Sequence, residues 1–90
     1  PWAEVPGAGR TDAPITAVNA GGQLYVFSKQ PETRAPWVNI VSATGVWSGW
    51  LPLPNSGVTD VGMASTNVEG KVYLFAKGID DRRVWVRSTL

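Results

Sequence analysis

The chain has 90 residues, a net charge of +1, no cysteine and no histidine. That bounds it to one domain near the small end of what folds alone, and it excludes disulfide staples, thiolate chemistry, the commonest general base and the commonest metal ligand. Eight basic and seven acidic residues are scattered without the basic stripe of a nucleic-acid binder, and no apolar run reaches membrane-spanning length.

Five tryptophans beside ten glycines and seven prolines suit short strands, tight turns and aromatic surfaces rather than helices. In chain order, Ala13 to Ala20 reads as a first strand ended by Gly21-Gly22, and Gln23 to Lys29 as a second, rich in β-branched and aromatic residues. Pro31 and Glu32-Thr33-Arg34 turn the chain into a third strand, Trp37 to Val41. Ala43-Thr44-Gly45 turns it again into a fourth, Val46 to Leu53, which stops at Pro54. The pattern then recurs as Val58 to Thr66, Lys71 to Lys77 and Arg83 to Ser88. No window sustains a 3.6-residue period, so helices are not expected.

The recurrence is a gapless internal match at an offset of about 48 residues, a blade-sized period. Trp2 falls on Trp50, Gly9 on Gly57, Thr11-Asp12 on Thr59-Asp60, Asn19 on Asn67, Tyr25 on Tyr73, Phe27 on Phe75, Lys29 on Lys77, Arg34 on Arg82 and Trp37-Val38 on Trp85-Val86. Four strands per repeat is the arithmetic of a propeller blade. Strands that are apolar at successive positions, such as Leu24 to Phe27 and Val72 to Phe75, imply cover on both faces.

The expected architecture is therefore an all-β β-propeller unit over residues 1–90, with two four-stranded blades per chain. Repeat one spans about 2–49 and repeat two about 50–90, whose last strand is completed by residues 1–6 of a copy. Two blades do not close a ring, since propellers take about four to eight. Head-to-tail oligomerisation hides the open faces, with six blades as a trimer favoured by analogy with small lectins. The alternative is an excised or engineered fragment of a longer propeller.

The run Trp47-Ser48-Gly49-Trp50-Leu51-Pro52-Leu53-Pro54, then Gly57-Val58-Thr59, then Lys71 to Lys77 followed by Gly78-Ile79-Asp80, resembles one blade of the bacterial fucose-binding propeller lectins. The first copy departs from the pattern at Gln30-Pro31-Glu32-Thr33, where Gly-x-Asp is lost. The resemblance implies a propeller and a carbohydrate-binding lectin for fucose-type or related sugars, extracellular or secreted, without cofactor or catalysis.

A sugar site needs an aromatic face and directional polar groups. The expected ligand-binding residues are Trp85, Arg82 and Asp80, placed between blades with a tryptophan from the next. Trp37 and Arg34 form a second such set, and Trp47 and Trp50 lie on the outer-strand segment. The competing assignment for these tryptophans is inter-blade packing. Thr11-Asp12 and Thr59-Asp60 read as turn and strand-start residues, and Lys29 and Lys77 as solvated strand ends. No metal-ligand spacing and no pair of opposed carboxylates points to an enzyme. The expected partners are glycans or monosaccharides and copies of the chain. A sugar-independent scaffold is the second functional expectation.

Overall fold

A computed structural model describes residues 2–53 and 57–89. Each half of the chain folds on a tight hairpin. Gly21 and Gly22 take φ of 58° and 76°, the two left-handed positions of a type I′ turn, so that Ala20 pairs directly with Gln23. Glu69 and Gly70, at 50° and 84°, do the same between Val68 and Lys71. Glu69 carries a Cβ into that region at a cost of about 1–2 kcal/mol. The side-chain carbonyl of Asn67 offsets part of this by accepting the Gly70 N–H at 3.0 Å.

Strands β1 (Thr16–Ala20), β2 (Gln23–Lys29), β3 (Pro36–Val41) and β4 (Leu51–Pro52) form one antiparallel sheet in the order β1-β2-β3-β4. Strands β5 (Ala64–Val68), β6 (Lys71–Lys77) and β7 (Val84–Thr89) form a second in the order β5-β6-β7. Each strand of the second sheet begins and ends 48 positions after its mate in the first, and Ala64 pairs with Phe75 as Thr16 pairs with Phe27. The fold is all-β, with no helix among the described residues.

The sheets pack unlike faces together. Tyr25 and Phe27 alternate on one side of β2, and Val72 and Leu74 on one side of β6. These join Val18, Ala20, Val38, Leu53 and Met63 in a single core. Phe27 has no exposed surface, and burying such a ring contributes about 1.5–3 kcal/mol. The seam is closed by polar contacts between β1 and β5. The hydroxyls of Thr16 and Ser65 lie 2.8 Å apart, and the Asn67 amide donates to the Asn19 carbonyl at 2.7 Å. The packing does not repeat on the far side. Phe75, 48 positions after Phe27, is 37 % exposed.

The second sheet has three strands among the described residues. Three expectations are corrected. The strand expected over Val46 to Leu53 shrinks to Leu51–Pro52 and one bridge between Val41 and Trp47, since Gly45 and Gly49 stand at φ of 87° and 81° and break the extended chain. The first strands of the two halves start at Thr16 and Ala64, later than Ala13 and Val58. Gly62 sits so close to Pro14 that a Cβ there would lie 2.9 Å from the Pro14 carbonyl oxygen, which fixes these stretches as inter-sheet contacts rather than ladder. Lys29 is not a solvated strand end: its side chain is 6 % exposed and its ammonium sits 2.6 Å from Asp12. The expected stop at Pro54 and the unit's boundaries at residues 1 and 90 lie outside the described residues.

Candidate functional site

Each sheet carries a cavity. The smaller, about 220 Å³, is lined by Gly7, Ala8, Gly9, Arg10, Ser28, Gln30, Glu32, Trp37 and Trp50. The larger, about 480 Å³, includes Gly57, Val58, Ala76, Gly78 and Trp85, with Pro36 of the first sheet on its wall. Gly9, Ser28, Gln30 and Trp37 stand 48 positions before Gly57, Ala76, Gly78 and Trp85, so the two cavities occupy matching places.

The smaller cavity is roofed by the segment before β1. The Asn39 side chain, fully buried, donates to the Pro6 carbonyl at 2.7 Å and draws that segment onto the sheet. Gly7, at φ 113°, and Gly9 then pass over the Trp50 ring, so near that a Cβ on Gly7 would meet Trp50 Cδ1 at 2.8 Å. Pro6 is thus tied to the chain's own first sheet, while Trp2 is fully exposed.

The turns that carry Trp37 and Trp85 share one backbone frame. Gln30 N–H donates to the Ala35 carbonyl at 3.0 Å, and Gly78 N–H to the Arg83 carbonyl at 2.9 Å. Arg34 and Arg82 hold left-handed φ of 61° and 56°. Both arginine side chains are exposed and line neither cavity. Asp80 and Trp47 also stand outside the two linings, whereas Trp37, Trp50 and Trp85 are in them.

The carboxylate at Trp85 belongs to Asp81, not Asp80. Asp81 accepts the Trp85 indole N–H at 3.2 Å and the Arg83 backbone N–H at 3.0 Å. The second of these is the two-residue Asx turn that aspartate favours, and that turn chemistry is the sequence signal for it. In the first half the same place is Thr33. Its hydroxyl accepts the Ala35 N–H at 3.3 Å and donates to Gln30 Oε1 at 3.0 Å. Gln30 in turn binds Glu32 through its side-chain amide. The buried indole nitrogens of Trp37 and Trp50 both lack a hydrogen-bond partner.

The Thr-Asp pairs act as ties. Asp12 binds Lys29 at 2.6 Å and Asp60 binds Lys77 at 2.9 Å. The hydrogen bond from the lysine in each pair is the main reason that each carboxyl is held below the usual aspartate range. Thr59, fully buried, donates from its hydroxyl to the Lys77 carbonyl at 2.8 Å, and its N–H donates to the Arg34 carbonyl across the sheets at 2.9 Å.

Among the described residues no three His, Cys, Asp or Glu side chains cluster to hold a metal, and no helix is long and apolar enough to cross a membrane. The chain matches no model of a known protein family and no curated protein.

Proposed function

We propose that the two sheets are consecutive propeller blades and that the protein is a multivalent carbohydrate-binding module, for fucose-type or related sugars, without catalysis. The carrying observation is the tryptophan-walled cavity set at the same place on both sheets, Trp37 with Gly9 and Ser28 in one and Trp85 with Gly57 and Ala76 in the other. An indole face takes the C–H side of a sugar ring, while neighbouring side chains and main-chain groups take its hydroxyls.

The partly open Phe75 face supports further assembly. It keeps Tyr73, Phe75 and Val86 where the first sheet has Tyr25, Phe27 and Val38, the face that accepts Val72 and Leu74 of the next sheet. A blade from another copy fits it by the same packing, and three chains make six blades. Head-to-tail contacts of this kind close into rings, and several weak sites on one ring bind by avidity. Three of the seven carboxylates are already engaged, Asp12 and Asp60 with lysines and Asp81 with an indole.

A second reading, a sugar-independent scaffold, draws on the placement of Arg34, Arg82 and Asp80 outside both cavities. Calorimetric titration against a panel of monosaccharide glycosides, with a glycan array and sedimentation mass, separates the two. Saccharide binding with a ring-sized mass is expected. Assembly without any glycan bound at millimolar concentration leaves the scaffold and removes the lectin.

A further inference from the structure

We infer that the smaller cavity is the one that takes ligand, that the ligand is a neutral, single-ring polyhydroxy compound, and that its oxygens accept the indole N–H groups of Trp37 and Trp50. This rests on the carbohydrate reading and makes it specific to one of the two cavities.

Two buried indole N–H donors in one cavity, both without a partner, are an unmet hydrogen-bonding demand. Buried polar groups in folded proteins are otherwise almost always paired, and an unpaired one needs an explanation. The second half shows what pairing looks like. Asp81 accepts the Trp85 N–H there, and its carboxylate crowds Gly78 at the cavity edge. Thr33 stands in that place in the first half and spends its hydroxyl on Ala35 and Gln30. The Trp37 donor is thus open where the Trp85 donor is closed.

The lining sets the chemistry. Arg10 and Glu32 contribute one charge of each sign, so the cavity favours neither anion nor cation. Glu32 offers acceptors for ligand hydroxyl protons, while the two indoles and Arg10 offer donors. A compound with several hydroxyls uses both kinds, and a hydrocarbon or a simple carboxylate uses at most one. A volume of about 220 Å³ is below the about 300–1,000 Å³ of drug-sized pockets and suits one sugar ring. The roof is the Gly7–Arg10 turn, which lies against the Trp50 ring and its nitrogen, yet neither buried indole nitrogen has an acceptor. Ligand entry displaces this turn and replaces its apolar contact with hydrogen bonds.

The test is a titration of the ¹⁵N-labelled full chain with methyl α-L-fucoside and methyl β-D-galactoside, with glucuronate as the anionic comparison. The indole resonances are assigned by single Trp→Phe replacements. The expected result is one saccharide per chain, movement of the Trp37 and Trp50 indole signals with Trp85 still, and weaker binding of glucuronate. Affinity should fall at least tenfold in Trp37→Phe and in Thr33→Asp, which installs the carboxylate found in the second half. Saccharide binding that moves only Trp85, or that occupies two sites per chain, overturns this inference and leaves the lectin reading standing. So does tighter binding of glucuronate. No saccharide bound by the wild-type chain overturns the lectin reading itself. The wild-type titration decides the matter even where a variant does not fold.

Discussion

Asn67 donates its side-chain amide, at 2.7 Å, to the backbone carbonyl of Asn19, the residue that occupies the same position 48 places earlier. Its side-chain oxygen accepts the Gly70 N–H of the β5–β6 turn at 3.0 Å. One side chain thus steadies a strained hairpin and stitches the two sheets. Asn19 enters the contact only through its main chain. Asn67→Ala should therefore lower unfolding free energy by about 1–2 kcal/mol, the worth of one or two net hydrogen bonds, while Asn19→Ala changes it by no more than about 0.5 kcal/mol, as for an ordinary surface site. Urea midpoints of the two variants check this, and equal losses would remove the stitching role.

Phe27 and Phe75 give a sharper contrast. Phe27 is wholly enclosed, and its truncation to alanine is expected to cost about 3–5 kcal/mol, enough to unfold a marginal domain. Phe75 keeps 37 % of its surface in the single chain, so its truncation costs less there. In the proposed ring Phe75 would be the enclosed one. If the chains assemble in that way, the wild type should sediment at a multiple of the 9.6 kDa of one chain and Phe75→Ala near that mass itself. Identical masses for both would argue against assembly through this face.

The legible parts of the sequence were those governed by local chemistry. The limits of β2 and β6 follow from β-branched and aromatic runs with a left-handed turn pair before them and a Pro or Gly turn after them. Of the four tryptophans expected at a site, Trp37, Trp50 and Trp85 line a cavity and Trp47 lines neither of the two. What failed to show were contacts set by distant residues. Nothing local says that Lys29 is buried on Asp12, or that Gly7 and Gly9 cross Trp50. Arg34 and Arg82 looked like ligand donors because they recur, yet what recurs with them is a left-handed turn position. Asp81, which accepts the Trp85 indole N–H, was legible only as an Asx-turn residue two places before Arg83.

The two aspartate–lysine ties predict how stability varies with acid. Both carboxyls are held below their usual range by the lysine hydrogen bonds, so the folded state binds these protons less readily than the unfolded chain does. Their contribution is fully present above the ordinary aspartate value of about 3.9. It disappears as pH falls through the lower folded values. Melting temperature should therefore decline below about pH 4 through these groups, and Asp12→Asn with Asp60→Asn should flatten that acid limb. At neutral pH Asp12→Asn should be the more damaging of the two, because it strands the buried Lys29, whereas Lys77 is 36 % exposed. An unchanged acid limb in the double variant would sink the assignment.

Gly9 and Gly57 test the roof of the smaller cavity. A Cβ on Gly9 would lie 2.6 Å from Trp50 Cε2, whereas one on Gly57 meets nothing within 4 Å, although its φ of 71° disfavours any side chain. Gly57→Ala therefore carries only the backbone penalty, about 1–2 kcal/mol for a left-handed residue with a Cβ. Gly9→Ala carries a steric one that only movement of the turn or of the Trp50 ring can relieve. The expected signature is a shift in tryptophan emission and in the Trp50 indole resonance for Gly9→Ala, with the Trp50 signal unmoved in Gly57→Ala. Because the displaced turn no longer screens the Trp50 N–H group, its exchange with solvent should quicken in Gly9→Ala. Unaltered exchange at the Trp50 indole would mean that the glycine turn is not what shields it.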